Sequence, residues 1–369
     1  MNEREARLVL NAAVGLSPAR QNALLAAGGG ALCLFSDAPA PDGLLPEEQR
    51  RLGEAAERCA REGLAARLAS EGVSLVLRED PEYPPGFLDA EDPPHLLYVR
   101  GKLPPTATPA MAIIGTRHPS LYGLQQAQRF ATGLAAAGFV IVSGAARGID
   151  AAAMEACLKS GASAVGILGT GIDRVYPQEN GELFVLAARA GALVSEFPPG
   201  TAPLRGNFPW RNRLISAFGL CIFVVEAGLK SGSLATARWA LDQGRDVFAL
   251  PGQVGKESTR GCHRLIKDGA QLAEDPEDVI EFYRDIFEIK AASTPGVGTQ
   301  NGELAPAAPG EATAGLPAIP GLDGTPRSFD ALAELSGLEP GELSARLMKA
   351  VAAGAASKLP GGYYALGKA

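Results

Sequence analysis

Histidine and cysteine are scarce in this chain. Among 369 residues there are three histidines, His95, His118 and His263, and five cysteines, Cys33, Cys59, Cys157, Cys221 and Cys262. The cysteines are scattered, odd in number and include no CxxC pair, which excludes a disulfide framework and a zinc site as readings. Each histidine stands alone, so no histidine-based triad is apparent, and each reads as a satisfied or solvated side chain. We therefore expect no catalytic residues, no metal and no cofactor. Long apolar runs are also missing. None reaches the ~18 residues of a membrane-spanning helix, and the opening MNEREARL has no apolar signal core. The expectation is a cytoplasmic protein with no membrane partner. Neither GxGxxG nor the Walker pattern GxxxxGK[ST] occurs, which argues against a dinucleotide or ATP site.

Positive charge is in deficit overall, with 34 basic against 41 acidic residues for a net charge of −7. The deficit is local. Residues 1–110 hold 11 basic and 16 acidic side chains, a balance of −5, and residues 111–287 hold 17 of each. Within that neutral block, residues 205–267 hold 10 basic and 4 acidic, a balance of +6. Screening limits electrostatic reach to about 8 to 10 Å in physiological salt, so a local patch is what a phosphate chain responds to.

What is abundant is glycine, with 45 residues, and apolar side chains, at 46%. The length allows two or three domains. Residues 1–72 read as a helical N-terminal domain, from apolar residues at helical spacing in RQNALLAAG and PEEQRRLGEAAERCAREGLAARLA. Sterile-alpha-motif or helix–hairpin–helix units have this shape, but the region is acidic and lacks a basic turn, so a plain scaffold is preferred. Residues 73–290 form the main domain. VSLVLRED and HLLYVRG are two strands that extend the following sheet. MAIIG (111–115), FVIVSG (139–144), SAVGILG (163–169), ALVSEF (192–197), LCIFVVEA (220–227) and DVFALPG (246–252) alternate with helical stretches. Continuous apolar strands call for cover on both faces, and repeated strand–helix units imply a doubly wound, mostly parallel α/β sheet. Residues 291–326, rich in Ala, Pro and Gly, have the composition of a disordered linker. Residues 327–369 read as two helices and a hairpin, a winged-helix domain.

In such a sheet ligands sit at the carboxyl ends of the strands. GTRHPSLYG (115–123) follows the first of the six strands and SGAARGID (143–150) the second. Small residues let the backbone approach a phosphate, and Arg117 and Arg147 add guanidinium donors. PPGTAPLRGNFPWRNRL (198–214) follows the fourth, with Arg205, Arg211 and Arg213 interleaved with Phe208 and Trp210. The two aromatics are either stacking faces for bases or core anchors for the loop. After the fifth, Lys230 precedes Ser231-Gly232-Ser233 at a helix start, a phosphate seat or an ordinary N-cap. Lys256, Arg260, Arg264 and Lys267 follow the sixth. One small cofactor would not need so many anion seats; a chain of phosphates would.

AIIGTRHPSLYG, VSGAARGIDAAAM, GTGIDRVYPQEN, LVSEFPPG, NFPWRNRLISA, VVEAGLKSGSLATARWALDQGRDVFALPG and GCHRLIKDGA run in order over about 111–275, with DPEYPPGFL…DPPHLLYVRG upstream. This series resembles the DNA-processing protein A (DprA/Smf) family. The resemblance implies an extended Rossmann-like fold that binds single-stranded DNA, protects incoming DNA, forms a homodimer and loads the RecA recombinase in natural transformation. It implies a DNA groove at Gly115, Arg117, Ser143, Gly144, Arg147, Phe208, Arg211, Asn212, Arg213, Lys230, Ser231 and Gly232, and dimer or RecA contacts near Ile266 and Leu272. Met154 stands where the family's GID motif usually continues into histidine, a packing substitution. The last long helix, LEPGELSARLMKAVAAG, sets Arg346 and Lys349 against Glu339 and Glu342; a neutral helix reads duplex DNA poorly, so a protein contact or a weak DNA contact is expected of it. The alternative is a nucleotide phosphoribohydrolase of the Lonely Guy type. That family carries PGGxGTxxE where this chain has LKSGSLATA, without the double glycine or the glutamate.

Overall fold

Short apolar segments become strands here because each is covered on both faces. The computed structural model describes residues 1–36, 41, 43–284, 319–323, 327–352, 355–359 and 363–366. They divide into two compact units, Met1–Thr294 and Pro295–Ala369.

The first unit opens with four helices, α1 (Glu3–Ala12), α2 (Pro18–Gly28), α3 (Pro46–Arg61) and α4 (Leu64–Ser70). Asn2 and Glu5 cap α1 reciprocally, which satisfies amide groups that a helix start leaves orphaned. Strands β1 (Val73–Leu77) and β2 (Leu96–Gly101) follow as an antiparallel pair. Then come β3 (Ala110–Ile114), α5 (Leu121–Ala136), β4 (Val140–Ser143), α6 (Ile149–Lys159), β5 (Ala164–Ile167), α7 (Gly181–Ala190), β6 (Ala192–Ser195), α8 (Asn207–Phe218), β7 (Cys221–Val224), α9 (Gly232–Asp242), β8 (Asp246–Ala249), α10 (Arg260–Lys267), β9 (Gln271–Leu272) and α11 (Pro276–Tyr283).

The nine strands form one sheet in the order β1-β2-β6-β5-β4-β3-β7-β8-β9. All neighbours from β6 to β9 are parallel, and β2 joins β6 antiparallel. The two early strands thus extend the sheet, as expected. The six expected parallel strands are present but end early: the run 220–227 yields Cys221–Val224 and the run 163–169 yields Ala164–Ile167. The residues just beyond stay buried and hold one backbone bond to the neighbouring strand, as Val225 N donates to Ile114 O at 3.1 Å. They then turn away into the loops.

Alternate strand residues serve two cores. Met111, Ile113, Ile141, Leu193 and Phe223 pack with α5, α6 and α7, where Phe130 stacks on Phe223 at 4.1 Å. Ala112, Ile114, Val142, Val165 and Ile167 pack with α8, α9 and α10. The first core continues into Leu8, Leu10, Leu24 and Leu52 of the N-terminal helices, so these helices and the sheet share one apolar interior. Each fully buried Leu or Phe contributes roughly 1.5–3 kcal/mol.

The second unit contains β10 (Arg327–Ser328), α12 (Phe329–Ser336), α13 (Pro340–Ala352), β11 (Ala356–Leu359) and β12 (Tyr363–Leu366). Its sheet is antiparallel in the order β10-β12-β11, over a core of Leu332, Leu343, Leu347 and Ala356. The described residues of this unit thus hold two helices followed by an antiparallel strand pair. Of the expected linker, residues 291–318 and 324–326 lie outside the described residues.

Candidate nucleic-acid interface

Chain order reverses between β3 and β7, since β3 leads outward to β6 and β7 returns to its other side. Ligands of doubly wound sheets bind at this switch point, beyond the carboxyl ends of the strands. A crevice of about 380 Å³ lies there, lined by Gly115, Thr116, Arg117, His118, Ala146, Asp150, Arg211, Asn212, Ser231, Gly232 and Ser233. A second, shallower hollow adjoins it and shares Arg117, Ala146 and Arg211; it adds Gly144, Arg147, Gly169, Tyr176 and Phe208.

Helix α8 supplies the centre of this surface. Its Arg211 is only 3% exposed. The guanidinium donates to Gly144 O at 2.9 Å, to Ile167 O and, through Nε, to Asn212 Oδ1 at 3.3 Å. Burial pushes Arg211 down to about 10, against the pull of Asp150, so it stays cationic at neutral pH. Burial drives the Asp150 carboxyl upward, opposed chiefly by Arg211. Asp150 Oδ2 accepts from Gly144 N at 3.1 Å. Both groups crowd Gly144: a Cβ there would lie 2.7 Å from Asp150 Oδ2 and 2.8 Å from an Arg211 guanidinium nitrogen. Glycine is required by that close approach.

Arg117 is exposed, and among the described residues no carboxylate pairs with it. Its guanidinium lies 5.6 Å from the centre of the Phe208 ring. Phe208 also meets Tyr176 at 5.4 Å. A Cβ at Gly169 would stand 2.8 Å from the Phe208 ring, so that glycine makes room for the aromatic. A half-exposed aromatic pair beside a free cation is the surface on which bases stack.

The other expected residues fall into four groups. Ser231 caps α9, accepting from Ser233 N at 3.3 Å, and Ser233 Oγ donates to Gly115 O at 2.8 Å. Ser231 is thus both N-cap and crevice wall, with exposed Lys230 and Gly232 beside it. Arg147 is exposed but held by Glu179 in a two-pronged ion pair. Ser143 and Arg213 are committed to internal bonds. Ser143 is buried and donates to Ile113 O at 2.6 Å, tying β4 to β3. Arg213 is fully buried, and its five N–H groups meet Glu91 O, Asp92 O, Trp210 O and both oxygens of Glu196. Neither offers a donor to a ligand. Ile266 is half-buried on α10 and Leu272 is 47% exposed on β9, outside the crevice.

The profile described as DNA recombination-mediator protein A matches residues 74–284, more than half of the chain. The chain belongs to that family. It is 44% identical over 208 residues to protein Smf of Escherichia coli K12, a match covering 56% of each chain. It is 40% identical over 200 residues to DNA processing protein DprA of Streptococcus pneumoniae, covering 54% of this chain and 70% of that one. The alignment thus spans little more than half the length of the Smf relative. Among solved structures, DprA from S. pneumoniae shares 30% identity at a TM-score of 0.65, covering 76% of this chain and 98% of that one. DNA processing protein A from Helicobacter pylori, whose structure concerns its single-stranded DNA binding mode, shares 32% identity at a TM-score of 0.53, covering 58% and 97%.

Within this DNA recombination-mediator family member, the loop after β5 reads in the sequence only as a family motif, and no site residue is expected from it. GTGIDRVYPQEN supplies Gly169, Tyr176, Glu179 and Asn180; Asn180 Nδ2 donates to Ala145 O at 3.0 Å and Ala146 O at 3.2 Å and so fixes the loop after β4. That loop had a readable signal, an aromatic beside Arg174. Asp150 and Glu226 were also passed over. Glu226 is buried at the start of α5, where its carboxylate accepts from Ser120 N at 2.9 Å and Ser120 Oγ at 3.1 Å. Among the described residues no helix is long and apolar enough to cross a membrane, and no cluster of three or more His, Cys, Asp or Glu could hold a metal.

Proposed function

We propose that the carboxyl edge of the sheet binds single-stranded DNA without catalysing a reaction, with Arg117, Arg147, Phe208, Arg211, Asn212, Lys230, Ser231, Gly232 and the backbone at Gly115 and Gly144 as its contacts. The observation that carries this reading is the free Arg117 guanidinium over the half-exposed Phe208 ring, beside buried Arg211. Exposed Arg174, Arg205 and Lys256 also stand on this edge without ion pairs among the described residues, and a row of free cations suits a phosphate chain. The DNA-binding theme of the H. pylori relative supports the same assignment.

We further propose that two chains meet through α10 and β9, and that the bound strand is passed to the RecA recombinase in the cytoplasm, during transformation or repair. Support for the dimer is local: β9 has a neighbour on one side only, and Leu272 is exposed on it. The phosphoribohydrolase alternative is disfavoured because the Glu226 carboxylate occupies the α5 N-terminus, the seat where a Rossmann-type sheet places a nucleotide phosphate. Titration of a labelled single strand against wild type and Phe208→Ala tests the main reading; base release from nucleoside monophosphates at an enzymatic rate would overturn it.

A further inference from the structure

Helix α8 divides two spaces. Residues three apart share a helix face, and its first turns present Phe208 and Arg211 to the hollow that adjoins the crevice described above. Asn207 and Trp210 line a different cavity of about 520 Å³. Its far wall is built from the N-terminal helices and the turn before β2, including Leu16, Gln21, Asp92, Pro94 and His95. Because Phe197 and Pro198 of the loop after β6 also line it, the cavity opens on the same carboxyl edge of the sheet.

We propose that this cavity takes one nucleobase of the bound single strand. The inference rests on the reading of this edge as a single-strand site. Four observations carry it. First, the walls suit a planar, largely apolar group: Leu16, Pro94, Phe197 and Trp210. Trp210 is held in place by Arg213, whose guanidinium lies 4.0 Å from the ring centre and is itself locked to Glu196. Secondly, polar groups wait without partners. Asn207 Nδ2 and His95 Nδ1 are buried and make no hydrogen bond among the described residues, and His95 is 2% exposed. Buried polar atoms are nearly always satisfied, and these two lie just behind the cavity wall, where a small turn of either side chain would bring them to a base edge. His95 is already fixed on its other side, where Nε2 meets Gln21 Oε1 at 2.8 Å. The remaining amides, Asn11 and Asn22, are committed to internal bonds. Thirdly, Asp92 adopts a left-handed φ of 45°, which aspartate tolerates better than most residues with a side chain, and its carbonyl is held there by Arg213. Left-handed non-glycine residues gather at binding sites. Among the described residues the other one is Ala145, in the loop beside Arg211. Fourthly, a phosphate has a seat at the partition. Helix α8 has no side-chain N-cap, and exposed Arg205 precedes it. An acidic wall at Asp92 disfavours phosphate inside and favours base N–H groups, so the backbone stays on the rim while a base turns in.

The strand thereby gains a contact that the Rossmann-like sheet alone cannot supply, and the N-terminal helices become part of the DNA site rather than a plain scaffold. The test uses the full chain carrying Trp239→Phe, which leaves Trp210 as its one tryptophan. A ~20-nucleotide strand and an all-abasic strand of equal length are titrated against it. The proposal expects Trp210 emission to change on binding the first and not the second. Trp210→Leu should weaken binding by on the order of 5- to 100-fold, the range of a lost base stack. Asn207→Phe, which fills the cavity and leaves the Trp210–Arg213 contact intact, should weaken it similarly. If the strand binds and Phe208→Ala weakens it, yet Trp210 emission is silent and Asn207→Phe binds like wild type, the cavity proposal fails and the groove stands. If the wild type does not bind the strand at low salt, both fail. A free nucleoside monophosphate that changes Trp210 emission when the strand does not would also overturn it.

Discussion

Replacing Arg213 by alanine separates the two arginines of the RNR segment, which sequence alone treats alike. Arg213 is fully buried with all five N–H groups bonded, and its partner Glu196 is nearly so, with N–O distances of 2.6 and 2.7 Å. Arg213→Ala leaves that carboxylate without its counter-charge and strips acceptors at Glu91, Asp92 and Trp210. Breaking a buried pair from one side costs about 3–5 kcal/mol. At about 2–4 °C per kcal/mol for a domain of this order, the melting temperature should fall by roughly 10 °C. Replacing both partners by apolar residues, Arg213→Met with Glu196→Leu, should recover much of the loss, since no lone buried charge remains. Thermal unfolding followed by circular dichroism reads the stability. Strand binding measured well below the transition, at several salt concentrations, reads the contact. The expected result is lower stability with an unchanged salt slope. A variant that melts like wild type while its slope falls by ~0.7, the value of one phosphate on a single strand, would refute the assignment and return Arg213 to the groove.

Three further outcomes follow from the same geometry. Gly144→Ala forces a methyl against Asp150 and Arg211 and should cost about 1–3 kcal/mol while displacing Arg211, so melting temperature and strand affinity fall together; unchanged affinity would show Arg211 to be dispensable. Glu179→Gln frees Arg147 from its ion pair, and strand binding should tighten with a salt slope steeper by up to ~0.7; equal slopes for Glu179→Gln, Arg147→Ala and wild type would remove Arg147 from the contacts. Burial, with Arg7 and Arg78 nearby, pushes His95 down to about 3. The unfolded chain takes up this proton near the ordinary 6.5 and the folded chain does not, so stability is full above pH 6.5 and declines as pH falls from there towards 3. The loss is about 2 kcal/mol at pH 5, and His95→Asn should flatten that limb in urea unfolding at pH 5 and 7.

The parallel sheet was legible because its strands are buried on both faces and so read as unbroken apolar runs between helical stretches. The site was legible where a residue type has one use. Arg117 stands in the loop after β3 and Phe208 in the first turn of α8, and the two side chains meet at the hollow beside the crevice. Ser143 and Arg213 have the right chemistry but lie below the surface, and whether a hydroxyl or guanidinium faces solvent is set by partners far away in sequence, Ile113 for one and Glu196 for the other. Phe208 and Trp210 are two residues apart and look alike in the sequence, yet helical geometry sends them to different cavities. Asp150 and Glu226 gave no signal because a single acidic residue in a helix or after a strand is ordinary until folding buries it beside a cation or a helix start. The two-residue strand β9 is too short for any periodicity to announce it.

The most direct test is the titration of a fluorescent ~30-nucleotide strand at two salt concentrations, with matched duplex as competitor, against wild type and Arg117→Ala. The account predicts salt-dependent binding that duplex displaces poorly, and a variant that binds more weakly with a slope shallower by ~0.7. Absence of binding at low salt, or equal displacement by duplex, would contradict it.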